Sequence, residues 1–190
     1  MRPFVRAGVF VVCASAALAF ASLARAGTYP NDRNGFMIGF GAGGGSSGIE
    51  DGDSRESGVT GNFRIGYAVQ PDLVLAFEGN GWTKSETSPI GDLTVTFSTA
   101  TAALTWYPNA GGGFVRGGLG FGTASAEVDF GGLKVSNDET GFGFLVAAGY
   151  EWRLTKKFAL GPQAEFSSMS LDQLGSENMV GGSLDFDWFW

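Results

Sequence analysis

Val180-Gly181-Gly182-Ser183-Leu184-Asp185-Phe186-Asp187-Trp188-Phe189-Trp190 is the last stretch of a 190-residue chain. Its residues alternate. Val180, Gly182, Leu184, Phe186, Trp188 and Trp190 share one face; Gly181, Ser183, Asp185, Asp187 and Phe189 share the other. A period of two is the mark of a β-strand. Ends of soluble domains are usually polar and frayed. The closing strand of a transmembrane barrel instead turns one face to lipid and carries aromatics at the membrane–water interface. The stretch therefore predicts a membrane barrel.

The other end agrees. Arg2 and Arg6 precede an apolar run from Ala7 to Leu23, and Ala24-Arg25-Ala26 has the small-residue form of a cleavage site. Residues 1–26 are expected to be a secretory signal, 27–34 a short periplasmic segment, and 35–190 the barrel. Cys13, the only cysteine, falls inside the signal. The mature chain is thus expected to have no disulfide and no thiolate chemistry. It would keep 9 basic against 19 acidic residues, a net charge of −10. That balance disfavours nucleic acid as a partner. No later apolar run reaches the roughly 20 residues of a membrane helix.

Tyr67, Tyr107, Tyr150 and Trp190 close strand-like segments at spacings of 40, 43 and 40 residues. The repeat predicts four successive hairpins. Short turns follow the first three, at 68–72, 108–113 and 153–157. Longer polar connections fall at 44–57, 83–91, 128–140 and 170–178. Outer-membrane barrels alternate short periplasmic turns with longer external loops in this way. The predicted strands are 35–43, 58–69, 72–82, 92–107, 114–127, 141–152, 158–169 and 179–190. The fold class is all-β: an eight-stranded antiparallel up-and-down transmembrane barrel. Strand 4 is the least regular, because Thr94 to Leu104 offers two parities, and a bulge there would reset the register.

A soluble eight-stranded barrel points its apolar residues inward, and alternation alone does not separate the two cases. The exposed-face tryptophans, the charges beside glycine on the polar face and the unequal turns favour the membrane form. Glycine, 32 of 190 residues, leaves room for large neighbours and permits tight curvature.

Trp106-Tyr107-Pro108, the run from Gly112 to Gly120, and Gly149-Tyr150-Glu151-Trp152-Arg153-Leu154 resemble the OmpA/OmpX-type eight-stranded outer-membrane barrel domain. The resemblance covers about 35–190. It implies location in the outer membrane of a Gram-negative bacterium, contact with outer-membrane lipid and lipopolysaccharide, and a C-terminal aromatic read by the outer-membrane assembly machinery. It implies no cell-wall anchor, because the chain stops at its last barrel strand.

Histidine is absent, which opposes Ser–His hydrolysis and acyl transfer. No catalytic residue, cofactor or metal site is expected. The parities place Arg64, Glu78, Arg116, Glu151, Glu165, Asp185 and Asp187 in the lumen, with Arg153 able to fold in beside them. Buried charges must pair, and Arg64 is expected diagonal to Glu78 and coupled to it. Tyr67, Trp106, Tyr107, Tyr150, Trp152, Trp188 and Trp190 are expected to form a periplasmic-side interfacial belt, with Trp82 in the opposite girdle. The carboxylates of 49–56 lack calcium-loop spacing and read as a solvated loop. The expected function is that of a monomeric, non-enzymatic envelope or surface-interaction barrel. A narrow gated pore or small-solute transporter, and a lipid-modifying enzyme, are the alternatives.

Overall fold

The computed structural model describes residues 29–49, 55–88, 91–130, 133–171 and 175–190. The expected signal peptide and the carboxylates at 50–54 lie outside them. Eight strands run in chain order: β1 Gly35–Ile49, β2 Glu56–Gln70, β3 Leu73–Ser88, β4 Gly91–Trp106, β5 Gly113–Phe130, β6 Leu133–Tyr150 with a short extension at Trp152–Arg153, β7 Phe158–Leu171 and β8 Gly175–Phe189. Each pairs antiparallel with its chain neighbours. β8 returns to β1, with Phe40 opposite Phe186 and Gly41 opposite Asp185, and closes the barrel. Closure removes the unpaired sheet edges that no bilayer tolerates.

Three of the expected periplasmic connections are short turns, and the one after β4 is a single 3-10 turn at Pro108–Ala110. The expected long external loops are largely strand. The ladder carries β1 to Ile49, β3 to Ser88 and β5 to Phe130, and it restarts at Glu56, Gly91, Leu133 and Gly175. Strands of 14 to 18 residues exceed the 9–11 that a tilted transmembrane strand needs. The surplus projects beyond the bilayer on the side away from the short turns. Its polar residues are water-facing strand positions: Thr83 meets Thr96, Ser85 meets Thr94 and Thr123 meets Thr140 through hydroxyl pairs on the outer surface.

β4 contains no register shift against β3 or β5, contrary to the expected bulge. Its apolar parity switches because its surroundings invert. Near the short turns Ala100, Ala102, Leu104 and Trp106 face outward and Thr99, Thr101 and Thr105 face the lumen. In the projecting part Thr94 and Thr96 face outward, while Val95 and Phe97 pack inside. A barrel in lipid hides its polar face, and the same barrel in water hides its apolar face. One unbroken strand therefore carries two opposite patterns.

The lipid band shows large exposed side chains on every face of the barrel, among them Phe63, Phe77, Leu119, Phe121, Phe142 and Val180. At the short-turn end Tyr67, Trp106, Tyr150 and Trp190 are about half exposed. Trp152 and Trp188 are partly covered, in tilted ring pairs 5.4 Å from Tyr150 and 4.7 Å from Phe158 respectively. Tyr107 is not in this belt: it is 2% exposed and points inward. Adjacent strand residues point to opposite faces, so Trp106 and Tyr107 do not share one. Trp82 also lies inside, not in an outer girdle.

Candidate functional site

The lumen is built from the inward residues of all eight strands, and three layers fill it. The middle layer is ionic. Arg64, on β2, lies 2.8 Å from Asp185 and 2.9 Å from Asp187, both on β8, with β1 between the two strands. Its other Nη contacts the Gln163 Oε1 at 3.5 Å, and Gln163 donates to Glu165 at 3.3 Å. Asn62 and Ser183 donate to Asp185 at 3.1 and 2.7 Å. Two glycines of β1 make this reach across the strand possible. A Cβ at Gly39 would collide with the Asp187 carboxylate, and one at Gly41 with that of Asp185. Arg116 forms a second pair, 2.7 Å from Glu78, and donates its Nε to Thr105 at 3.1 Å.

Arg64 and Glu78 are therefore direct neighbours across β2 and β3, not diagonal ones. Each makes its ion pair elsewhere. The expected Arg64–Glu78 pair is replaced by Arg64–Asp185/Asp187 and Arg116–Glu78. The physical reason is the narrow bore: a long guanidinium reaches across the lumen to a carboxylate on a strand that is not its neighbour.

The layer at the short-turn end was not anticipated in full. Arg33, two residues before β1, folds into the barrel mouth and is 1% exposed. Its guanidinium carbon sits 3.4 Å from the centre of the Tyr107 ring. It pairs with Glu151 at 3.3 Å and donates to the carbonyls of Pro71 and Gly111 at 3.3 and 3.0 Å. Tyr107 donates its hydroxyl to Glu151 at 2.8 Å. Arg153 lies 4.2 Å from the Phe189 ring centre and donates to the carbonyls of Lys156 and Asp32. With Met37, Ala68, Val74, Phe114 and Phe189 these groups close the periplasmic mouth. The signal for Arg33 is its parity: 33 continues the inward series of 37 and 39. Across the two layers four guanidinium groups meet five carboxylates, where the strand parities alone had put five acids against Arg64 and Arg116.

The outer layer is apolar. Trp82, Ala124, Met169, Leu171 and Met179 pack together, with Val95 and Phe97 against them. Trp82 donates its indole N–H to the Gly45 carbonyl at 3.3 Å, which satisfies its one polar atom. Between this plug and the ionic layer lies a cavity of about 20 Å³ lined by Thr60, Asn62, Asn80, Trp82, Glu165 and Met179. That is space for about one water. Above the plug the barrel opens into a vestibule of about 400 Å³.

Ser47 and Ser183 each donate to a carboxylate, at Glu177 and Asp185, but neither has an imidazole to relay the proton. The chain holds no histidine, and no cluster of metal-ligating side chains is found among the described residues. The chemistry that the lumen does show is the pairing of buried charge.

The family description "outer membrane protein beta-barrel domain" matches residues 10–187. Among solved structures, Neisserial surface protein A superposes with a TM-score of 0.61 at 16% identity, over 82% of this chain and 97% of that chain. Ail, the attachment invasion locus protein of Yersinia pestis, solved in complex with the heparin analogue sucrose octasulfate, gives a TM-score of 0.61 at 16% identity, over 82% and 99%. Comparison with curated proteins gives no match. At these identities the likeness is one of fold.

Proposed function

The chain belongs to the outer membrane protein β-barrel domain family, and from that premise we propose that it is a sealed, non-enzymatic barrel that presents its projecting strands at the cell surface. It lies in the outer membrane of a Gram-negative bacterium. One observation carries the reading: every layer of the bore is filled, and the gap between the ionic layer and the apolar plug holds about 20 Å³. A hydrated ion needs a continuous wet path, and a lumen locked by paired charges does not supply one. The work is left to the strand extensions above the bilayer, where a polar Ser/Thr surface meets the outside.

Ail was crystallised with a sulfated sugar analogue. An acidic chain of net charge −7 repels such ligands, so the surface partners of this barrel are better sought among neutral or cationic surfaces. In the membrane it contacts lipid and lipopolysaccharide through its aromatic belt, acts as a monomer, and offers its closing aromatic strand to the assembly machinery. Purified barrel in a planar bilayer tests the sealing: no sustained conductance is expected, and reproducible open steps would refute it. Adhesion of cells bearing the full-length barrel should exceed that of cells bearing a form with hairpins cut back to the bilayer. Equal adhesion on every surface tried would remove the presentation role.

A further inference from the structure

The projecting strands do more than extend the barrel, because their inner face is apolar. Trp82 forms the floor, and Leu93, Val95 and Phe97 form one wall. Ser47 and Glu177 face them from β1 and β8. The space is about 400 Å³, within the range of about 300–1,000 Å³ typical of small-molecule sites, which combine apolar walls with a few placed polar groups. Here the placed group is Glu177. It is 5% exposed and makes no ion pair among the described residues. Its Oε1 accepts a hydrogen bond from the Ser47 hydroxyl at 2.5 Å. A buried carboxylate with no cation in direct contact is costly, and a cation entering the vestibule would relieve it.

The neighbouring charges have the matching sign. Glu56 and Glu86 line the same space, and Lys84 is the one cation among its lining residues. Lys84 is held between Glu56 and Glu86, so it does not reach Glu177. Arg55 is turned to the carbonyls of Ser46 and Asn178.

We propose that the vestibule above the apolar plug binds a small apolar molecule carrying a cationic group, with the apolar body on Trp82, Leu93, Val95 and Phe97 and the cation at Glu177. The inference goes beyond the sealed-barrel reading. Conductance would overturn that reading and leave this site standing.

The test is isothermal titration of the full barrel in phosphatidylcholine nanodiscs, with empty nanodiscs as reference. The probes are benzyltrimethylammonium and its anionic counterpart phenylmethanesulfonate. Saturable heat is expected for the cation and none for the sulfonate. Glu177→Gln should weaken the cation about tenfold, the scale of one charge-assisted contact. Leu93→Ser, at a half-open position that does not threaten folding, should weaken it several-fold through lost apolar contact. Lys84→Gln should tighten it by freeing two carboxylates. Absence of saturable heat with the cation overturns the proposal. So does sulfonate binding of equal strength, or a cation affinity unmoved by both Glu177→Gln and Leu93→Ser. Where Glu177→Gln fails to fold, as judged by heat-modifiable migration, the Leu93 and Lys84 variants decide alone.

Discussion

Replacing Arg64 by glutamine should be among the most damaging single changes in the barrel. Arg64 is 1% exposed and lies within 3 Å of carboxylates at Asp185 and Asp187. Asp185 would keep its hydrogen bonds from Asn62 and Ser183. Asp187 would lose its ion pair and both hydrogen bonds from Arg64 and would stay 5% exposed. Breaking a buried pair from one side costs about 3–5 kcal/mol, and two carboxylates on one guanidinium put the expectation at the upper end. The double-mutant cycle of Arg64→Gln with Asp187→Asn should show coupling of about 2–3 kcal/mol. The cycle of Arg64→Gln with Glu78→Gln should show less than about 1 kcal/mol, although those residues are direct register partners, because Glu78 is paired with Arg116. Equilibrium urea unfolding in phosphatidylcholine vesicles, read by heat-modifiable migration and tryptophan fluorescence, measures both. Additivity of Arg64 and Asp187, or a larger coupling to Glu78, would refute the cross-lumen assignment.

Arg33→Ala should lower stability by about 2–3 kcal/mol in the same assay, through the lost pair with Glu151 and the lost desolvated contact with the Tyr107 ring; an unchanged midpoint would show that the N-terminal segment is not part of the fold. Leu119→Arg, in the middle of the lipid band and 63% exposed, should cost about 2–4 kcal/mol, whereas Ser125→Arg six residues outward should cost less than about 1 kcal/mol; equal costs would misplace the bilayer edge. Burial raises the Glu177 carboxyl above its ordinary 4.5, against the Ser47 hydroxyl and Arg55, which lower it. A raised carboxyl holds its proton more tightly folded than unfolded, so its stabilising effect is present at low pH and fades as pH rises from the ordinary value through the raised one. Benzyltrimethylammonium, which needs the carboxylate charged among Glu56, Lys84, Glu86 and Arg55, should bind more weakly at pH about 5 than at about 7.5, and Glu177→Gln should flatten that dependence.

Much of this was legible from alternation alone. The parity of β8 assigns Asp185 and Asp187 to the lumen and Trp188 to the outer face, and the same logic places Arg64, Glu78 and Arg116. What alternation does not report is which charges meet. Partners across a bore depend on register summed around several strands, so Arg64 finds β8 rather than its neighbour β3. Arg33 is easy to miss because it lies two residues before β1, and only a parity carried past the strand's first residue reaches it. Tyr107 was assigned by kind rather than by parity: it is aromatic and stands at a strand end, yet it is one residue from Trp106 and must face the other way. The outer strand extensions were read as loops because Thr, Ser, Asn and Asp are loop residues on average. On a strand in water they are equally the residues of the wet face.

The parity change within β4 joins these observations. Leu93, Val95 and Phe97 are apolar at odd positions, and Ala100, Ala102, Leu104 and Trp106 at even ones, with an unbroken ladder through both. A bulge would have moved the strand, whereas a change of solvent moves the meaning of the pattern. The crossover near Ser98 and Thr99 thus marks where lipid ends and water begins. β3 gives the same height independently: Leu75 and Phe77 are exposed below it, and Trp82 is buried inside above it. Two strands placing the bilayer edge at one level imply that the apolar plug sits at or just above that edge. There it stands over the charged lumen and floors the vestibule lined by Leu93, Val95 and Phe97. A bare pore has no use for such a floor, and a solid plug has no use for such a vestibule. The pairing of the two is what a surface-facing binding cup on a sealed membrane barrel requires.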